Sequence, residues 1–317
     1  MHGASRRWAL LAPVAAAAAA LVVAHGRASA TGEDPTSLRE RCATRLSIAL
    51  LGKSATPAQM TAADPQSAVD GMLQDGAFAE RFARFVNATF NDDPGMTPDE
   101  DSAYWLTKYV LANGKPWSDV FVGPYDVSAD AGGAVTVKDD PNGLGYFRSR
   151  AWLVRYAGNE ATGLKLVTAY HILNNVLGLQ LVASTNAPNA DISVTGRQQA
   201  PCNGCHFDPW FALDHVASVL TRRVGTGDTM TFSPPTGGPQ TILGGLTIAD
   251  DGQLVHALVN DVAFKYRACE LAFQYLYARK ENACEGGVFD ACVDAFGAKG
   301  TIQSAIAAVA KDPSFCQ

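Results

Sequence analysis

Residues 202–206 read Cys-Asn-Gly-Cys-His, and no other stretch of the chain restricts its structure so tightly. Two cysteines three apart lie on one side of a helical turn, and the next residue carries an imidazole. This is the C-x-x-C-H pattern of covalent haem attachment. Both thiols can reach vinyl groups on one porphyrin edge, and His206 faces the iron as proximal ligand. With 7 Cys and 6 His in 317 residues, chance supplies about 0.003 such matches. Three competing uses of the pair fit less well. A structural zinc site needs four ligands, usually as two close Cys/His pairs, and no second pair exists. A thioredoxin-like redox pair opens a helix beside a βαβ pattern, which is missing. A disulfide across two intervening residues is strained and rare. The sequence therefore predicts one covalent haem c, bound by Cys202, Cys205 and His206.

Haem is attached outside the cytoplasm, and the N-terminus offers a route there. Arg6 and Arg7 precede an apolar run from Trp8 to Ala24, followed by Ala28-Ser29-Ala30. That is the layout of a secretory signal peptide over 1–30, cleaved after Ala30, rather than a membrane span. Ser5-Arg6-Arg7-Trp8 also carries a weak twin-arginine pattern, but an ordinary positive leader is the better reading, because haem attachment favours export in an unfolded state. The whole chain has 25 Lys+Arg against 31 Asp+Glu, a net charge of −6. Cleavage would remove three arginines and no acid, making the mature chain more acidic still. Such a balance argues against nucleic acid as a partner, because phosphate binding rests on Lys/Arg clusters. With 47% apolar and 18% charged residues, the chain can bury a core and is not wholly disordered. No later run approaches 18 apolar residues, so no transmembrane anchor is expected. The expected location is periplasmic or extracellular.

The periodicity is mostly helical. Ser37-x-x-Glu40 reads as a capping box, followed by Leu38, Cys42, Leu46 and Leu50 on one face and Gly52 as a stop. Helices are also predicted over 66–73, 99–113 and 161–177, and over a Phe78/Phe82/Phe85/Val86/Phe90 face that suits helix packing better than a haem wall. Gly and Pro break the pattern over 123–145, leaving one short strand over 134–138. Asp208-Pro209 looks like an N-cap and N1 proline opening a helix that runs to Arg222 and Arg223 in its last turn. A loop with strand-like pieces at 230–232 and 241–248 follows. Leu254, Leu258, Val262, Cys269, Phe273 and Leu276 then form a near-continuous stripe, and 302–310 closes the chain. The fold class is mainly α: a bundle-like arrangement with long ordered loops, one or two short β-hairpins and a c-type haem. The N-terminal helical region spans 31–145 and the haem-bearing region 146–317, unless 31–317 is one domain.

Support for the haem comes from several positions. A backbone carbonyl near Asp208-Pro209 is expected to accept the His206 Nδ1–H, fixing the tautomer. Arg222 and Arg223 are either solvated helix-end charges or partners for haem propionates. For the sixth ligand Met230 is the leading candidate, lying in a downstream loop, where a Met/His pair would raise the potential. His256 and His171 are rivals, and an open position is the remaining alternative. Of the other cysteines, Cys284 and Cys292 flank a Gly-Gly turn and are the first expected disulfide; Cys269 with Cys316, or either with Cys42, are the others.

The segment Cys202-Asn-Gly-Cys205-His206-Phe-Asp208-Pro209-Trp-Phe-Ala212-Leu213-Asp214 resembles the haem segment of planctomycete-type secreted cytochrome c proteins, in which C-x-x-C-H is followed by Asp-Pro and then Ala-Leu-acid. Leu144–Arg148, Ile172–Gly178 and Tyr266–Arg279 are loosely similar to that family as well. The family usually has more residues between His and Asp-Pro and a Gly after it, where this chain has Trp210-Phe211. The resemblance implies architecture and cofactor more than a reaction. The expectation is an exported monohaem cytochrome that carries single electrons to a redox partner with a basic docking surface. The alternatives are a peroxidase- or oxidase-like haem enzyme with an open sixth position, and a secreted binding or sensory module carrying haem.

Overall fold

The computed structural model describes residues 34–157, 166–181, 189, 191–208, 212–235 and 237–317. The leader at 1–30, the start of the helix expected at 161, most of the polar segment at 184–190, and Pro209-Trp210-Phe211 lie outside them. Among the described residues the chain is mainly helical, with three two-stranded antiparallel hairpins and no larger sheet.

The first helix, Pro35–Leu46, starts earlier than the Ser37 box would place it. Asp34 is the N-cap, its carboxylate accepting from the Thr36 N–H, and Pro35 occupies the first turn. Proline is pre-set for that position, because its φ is already helical and its missing N–H has no partner to lose. A wider turn, Ser47–Leu51, continues it to Gly52, which has φ 67°. That left-handed conformation is natural for glycine and places the stop where the sequence puts it. The Phe-rich helix, Gly76–Phe90, begins on Asp75 and buries Phe78, Phe82, Val86 and Phe90. Its rings meet other rings of the core: Phe82 lies 5.1 Å from Tyr275 and 5.9 Å from Trp117, both edge-on. Aromatic edge-to-face packing of this kind adds to simple area burial. Helix Ser102–Ala112 packs alongside.

Between Gly123 and Gly145 the expected strand is present over Val135–Asp139, and it has a partner, Tyr125–Ala129, in register from Tyr125↔Asp139 to Ala129↔Val135. Arg222–Val224 pairs with Thr231–Ser233, and Gln240–Ile242 with Leu246–Ile248. The 241–248 piece is thus two strands folded at Leu243-Gly244-Gly245, all with positive φ.

The C-terminal stripe divides. Asp261 ends helix Asp251–Asn260 and caps helix Val262–Tyr277, accepting from the Ala263 N–H. The break resets the helical phase, so Val262 is 62% exposed while Phe273 is buried. Helices Gly286–Lys299 and Ile302–Ala310 complete the shell.

Two disulfides tie this shell: Cys42–Cys316 and Cys269–Cys292. The expected Cys284–Cys292 bridge does not form. Gly286 and Gly287 open a helix instead of a hairpin, so the six residues to Cys292 rise about 9 Å along its axis. Cys292 is buried toward the 262–277 helix and Cys284 is exposed with a free thiol. Paired cysteines point to an oxidising, exported environment. No helix among the described residues is long and apolar enough to cross a membrane.

One hydrophobic core runs from Cys42 to Phe315, and it is stitched across position 145. The Trp117 N–H donates to the Gly300 carbonyl at 2.8 Å, and the Tyr146 hydroxyl donates to the Phe90 carbonyl at 2.9 Å. The motif at 202–206 lies outside this core, on short elements around helices Leu166–Leu177 and Leu213–Val219.

Candidate functional site

The motif forms a single turn, Asn203–His206, preceded by Cys202. The Cys202 carbonyl accepts from both the Cys205 and His206 N–H groups at 3.2 Å. At 100° per residue this turn places Cys202, Cys205 and His206 on one face and Asn203, Gly204 and Phe207 on the other. Both thiols are free and half-buried. A depression of about 380 Å³ adjoins the turn, lined by Gln198, Asn203, Gly204, Phe207 and Asp208; by that spacing it lies behind the thiols.

His206 is held by a charged chain. Its Nδ1 lies 2.8 Å from Asp214 Oδ2, and the His206 side chain is 22% exposed. Asp214, in the first turn of helix Leu213–Val219, is nearly buried. Arg197 donates to it through Nη2 at 2.6 Å and through Nε at 3.2 Å to each oxygen, and donates through Nη1 to the Ile192 carbonyl. A carboxylate only accepts, so Nδ1 carries the hydrogen and Nε2 keeps its lone pair for a metal.

This corrects the expected backbone acceptor near Asp208-Pro209. Asp208 closes the motif's own turn, the N–H groups of Phe207 and Asp208 both donating to the Asn203 carbonyl at 2.9 Å, and the helix start expected at Pro209 lies outside the described residues. Among the described residues the next helix starts at Leu213 after Ala212, which has φ 40°. That helix also stops early, at Val219, where Leu220 turns extended. Arg222 and Arg223 therefore sit in a hairpin strand instead of a helix end. Arg223 is anchored there, its N–H donating to the Ala157 carbonyl at 2.7 Å and its Nη1 to the Val154 carbonyl at 3.2 Å.

The three candidate distal ligands occupy separate places. Met230 follows the turn Gly227–Thr229, half-buried against the core, in a loop where Arg150 Nη1 donates to the Gly227 carbonyl. His256 is exposed on helix Asp251–Asn260. His171 lies against Tyr156 with ring centroids 4.3 Å apart and the rings tilted by 39°, and its Nε2 lies 3.9 Å from Asp92. Burial lowers the His171 pKa, with Asp92 pulling the other way. No hydrogen bond, ion pair or ring contact among the described residues joins any of the three to His206. His215, one helical position beyond Asp214, is occupied by Gln240 through Nδ1.

Arg197 and Asp214 are the functional candidates that sequence reasoning misses. Asp214 enters it only as the acid of the Ala-Leu-acid stretch, and Arg197 sits in a polar segment without periodicity. A carboxylate eight residues beyond the motif histidine is the one available signal.

The donor set fits a haem. Two unpaired thiols and an imidazole share a face, and the imidazole's other nitrogen is fixed by a buried carboxylate. Among the described residues no group of three or more His, Cys, Asp and Glu side chains could hold a metal. A porphyrin supplies four nitrogens of its own, so haem iron does not require such a group. No family model matches the chain, and neither a curated protein nor a solved structure is found to match it.

Proposed function

We propose that the chain is an exported monohaem c-type cytochrome, related to the planctomycete-type secreted cytochromes it resembles, that carries single electrons. The observation that supports this most is the shared face of Cys202, Cys205 and His206, with His206 Nδ1 engaged by Asp214. In an oxidising environment that pairs Cys42 with Cys316 and Cys269 with Cys292, the two thiols closest in sequence stay free. Each would add its S–H across a vinyl group, the sulfur bonding to one carbon and the hydrogen passing to the other. His206 would bind iron through Nε2, and Cys202 and Cys205 would keep the ring from dissociating. When bound, the haem supplies a one-electron Fe(III)/Fe(II) couple. The acidic chain, at −6 with its leader, suits a redox partner with a basic docking surface.

The polarised His206 also favours a second reading, a haem enzyme of peroxidase or oxidase type with an open sixth position. Spectra of the mature protein, made with haem-maturation machinery, separate the two. The electron carrier is expected to gain the mass of one haem and to be low-spin when ferric, without binding cyanide. A high-spin ferric form that binds cyanide and reacts with peroxide selects the enzyme, and a colourless product of bare polypeptide mass overturns both. Met230→Ala with an unchanged ferric spectrum and potential would remove Met230 as sixth ligand.

A further inference from the structure

We propose that Asp214, clamped by Arg197, is the positioning residue that sets the iron potential on the His206 side, biasing this chain toward a low-potential carrier. The proposal rests on the cytochrome reading, which uses Asp214 only as the partner that fixes His206 Nδ1 and gives Arg197 no role.

Two buried Asp–Arg pairs of similar build occur among the described residues, and they differ in what the carboxylate touches next. Asp251 is 3% exposed and receives Arg148 at 2.7 and 3.3 Å; its remaining contact is the Thr221 hydroxyl. That pair joins the segment after Tyr146 to helix Asp251–Asn260 and touches no metal-ligating group. Asp214 is 6% exposed and receives Arg197 through both Nε and Nη2, but its remaining contact is the imidazole of His206. The planar guanidinium fork fixes the carboxylate in orientation as well as position. Arg197 is itself anchored by the Ile192 carbonyl. Burying a carboxylate costs stability unless it is fully partnered. Here one of its partners is the ring opposite the ligating nitrogen.

The chemical consequence follows from the direction of the hydrogen bond. A carboxylate accepting from Nδ1–H moves electron density toward Nε2 and makes it a stronger donor to iron. Stronger donation stabilises the ferric form over the ferrous one and lowers the potential. A methionine in the sixth position acts in the opposite sense, so the final potential is a balance between the two axial sides.

The test is a redox titration of the haem-loaded full chain. Asp214→Asn is expected to favour the ferrous form roughly ten-fold, a rise of about 59 mV for one electron, and to speed exchange of the His206 Nδ1 hydrogen measured by NMR. Asp214→Glu, which keeps a carboxylate, is expected to recover most of the wild-type value. Asp251→Asn breaks the comparable pair and is expected to lower the melting temperature while leaving the potential in place. If Asp214→Asn does not fold, Arg197→Lys carries the test: it keeps the charge but loses the fork, and a two- to three-fold shift of the same sign is expected. Haem-loaded Asp214→Asn with an unmoved potential overturns the proposal and leaves the cytochrome reading standing. So does an equal shift in Asp251→Asn, which would tie the potential to stability alone. An unmoved Arg197→Lys beside an unfolded Asp214→Asn also overturns it. A wild-type chain that takes up no haem removes both the proposal and the reading beneath it.

Discussion

Four cysteines and two cysteines of this chain live by different rules. Cys42, Cys269 and Cys292 are buried, and with Cys316 they form the two bridges of the helical shell, one joining the first helix to the C-terminal turn and the other joining two neighbouring helices. Cys202 and Cys205 are half-buried and unpaired on a single helical turn, beside a histidine whose far nitrogen is already taken. Proximity in sequence does not decide which thiols pair. Cys202 and Cys205 are three residues apart and remain free, whereas Cys42 and Cys316 are separated by 274. Burial and backbone direction decide it. The shell cysteines approach one another because their helices pack, while the motif cysteines project from one face of a turn whose own hydrogen bonds hold them side by side.

The sharpest way to break this comparison is to remove the free pair. Cys202→Ser with Cys205→Ser is expected to abolish covalent haem completely, read as loss of the haem mass, while the helical circular dichroism stays that of the parent. Collapse of the helical signal would show that the motif thiols support the fold and that the two classes are not distinct. Removing the shell bridges should do the converse. By loop-closure entropy, Cys42→Ser with Cys316→Ser costs about 5.5 kcal/mol and Cys269→Ser with Cys292→Ser about 3.5 kcal/mol. Urea unfolding measures both, and the ordering follows from loops of 274 and 23 residues. Haem content should be retained wherever the variant folds. A reversed order would mean that the denatured chain already holds the ends together.

The same division explains what could be read from sequence. Helices with a wide apolar face, such as the one carrying Phe78, Phe82 and Phe90, announce themselves because a single repeating contact with the core fixes each of those residues. Gly52 is equally legible, since a left-handed stop has few other occupants. Boundaries are less so: Asp34-Pro35 competes with Ser37-x-x-Glu40 as a start, and Asp261 interrupts a stripe whose period runs on in the sequence. The hairpin partner Tyr125–Ala129 lies among glycines and prolines, which hide its alternation. At the site, Cys202, Cys205 and His206 are legible because they are local. Arg197 and Asp214 are not, because their meeting with His206 depends on where the 213–219 helix begins, and Ala212, with its positive φ, sets that start against the expectation from Asp208-Pro209.

The smallest expected effect lies in the shell and should leave the motif untouched. Glu80 accepts from the Tyr104 hydroxyl at 2.5 Å, from Lys108 at 2.9 Å and from Arg84 Nε at 2.7 Å. The Tyr104 hydrogen bond does most to lower its pKa, with Lys108 and Arg84 adding to it against the cost of burial, and the result is about 2 instead of 4.5. A carboxyl group depressed on folding contributes stability that is fully present above its unfolded value and is lost as pH falls through the folded one. The contribution should therefore be intact at neutral pH, decline below about 4.5 and be gone by about 2. Arg84 and Lys108 are 72% and 41% exposed, so solvent screening reduces the effect to about 1 kcal/mol or less. Glu80→Gln is expected to lower stability by that amount at pH 7, and the gap from the parent should close as the pH approaches 2. A gap that stays constant across this range would show that the loss comes from packing against Tyr104 and not from charge. A simultaneous change in haem content would tie the shell to the motif.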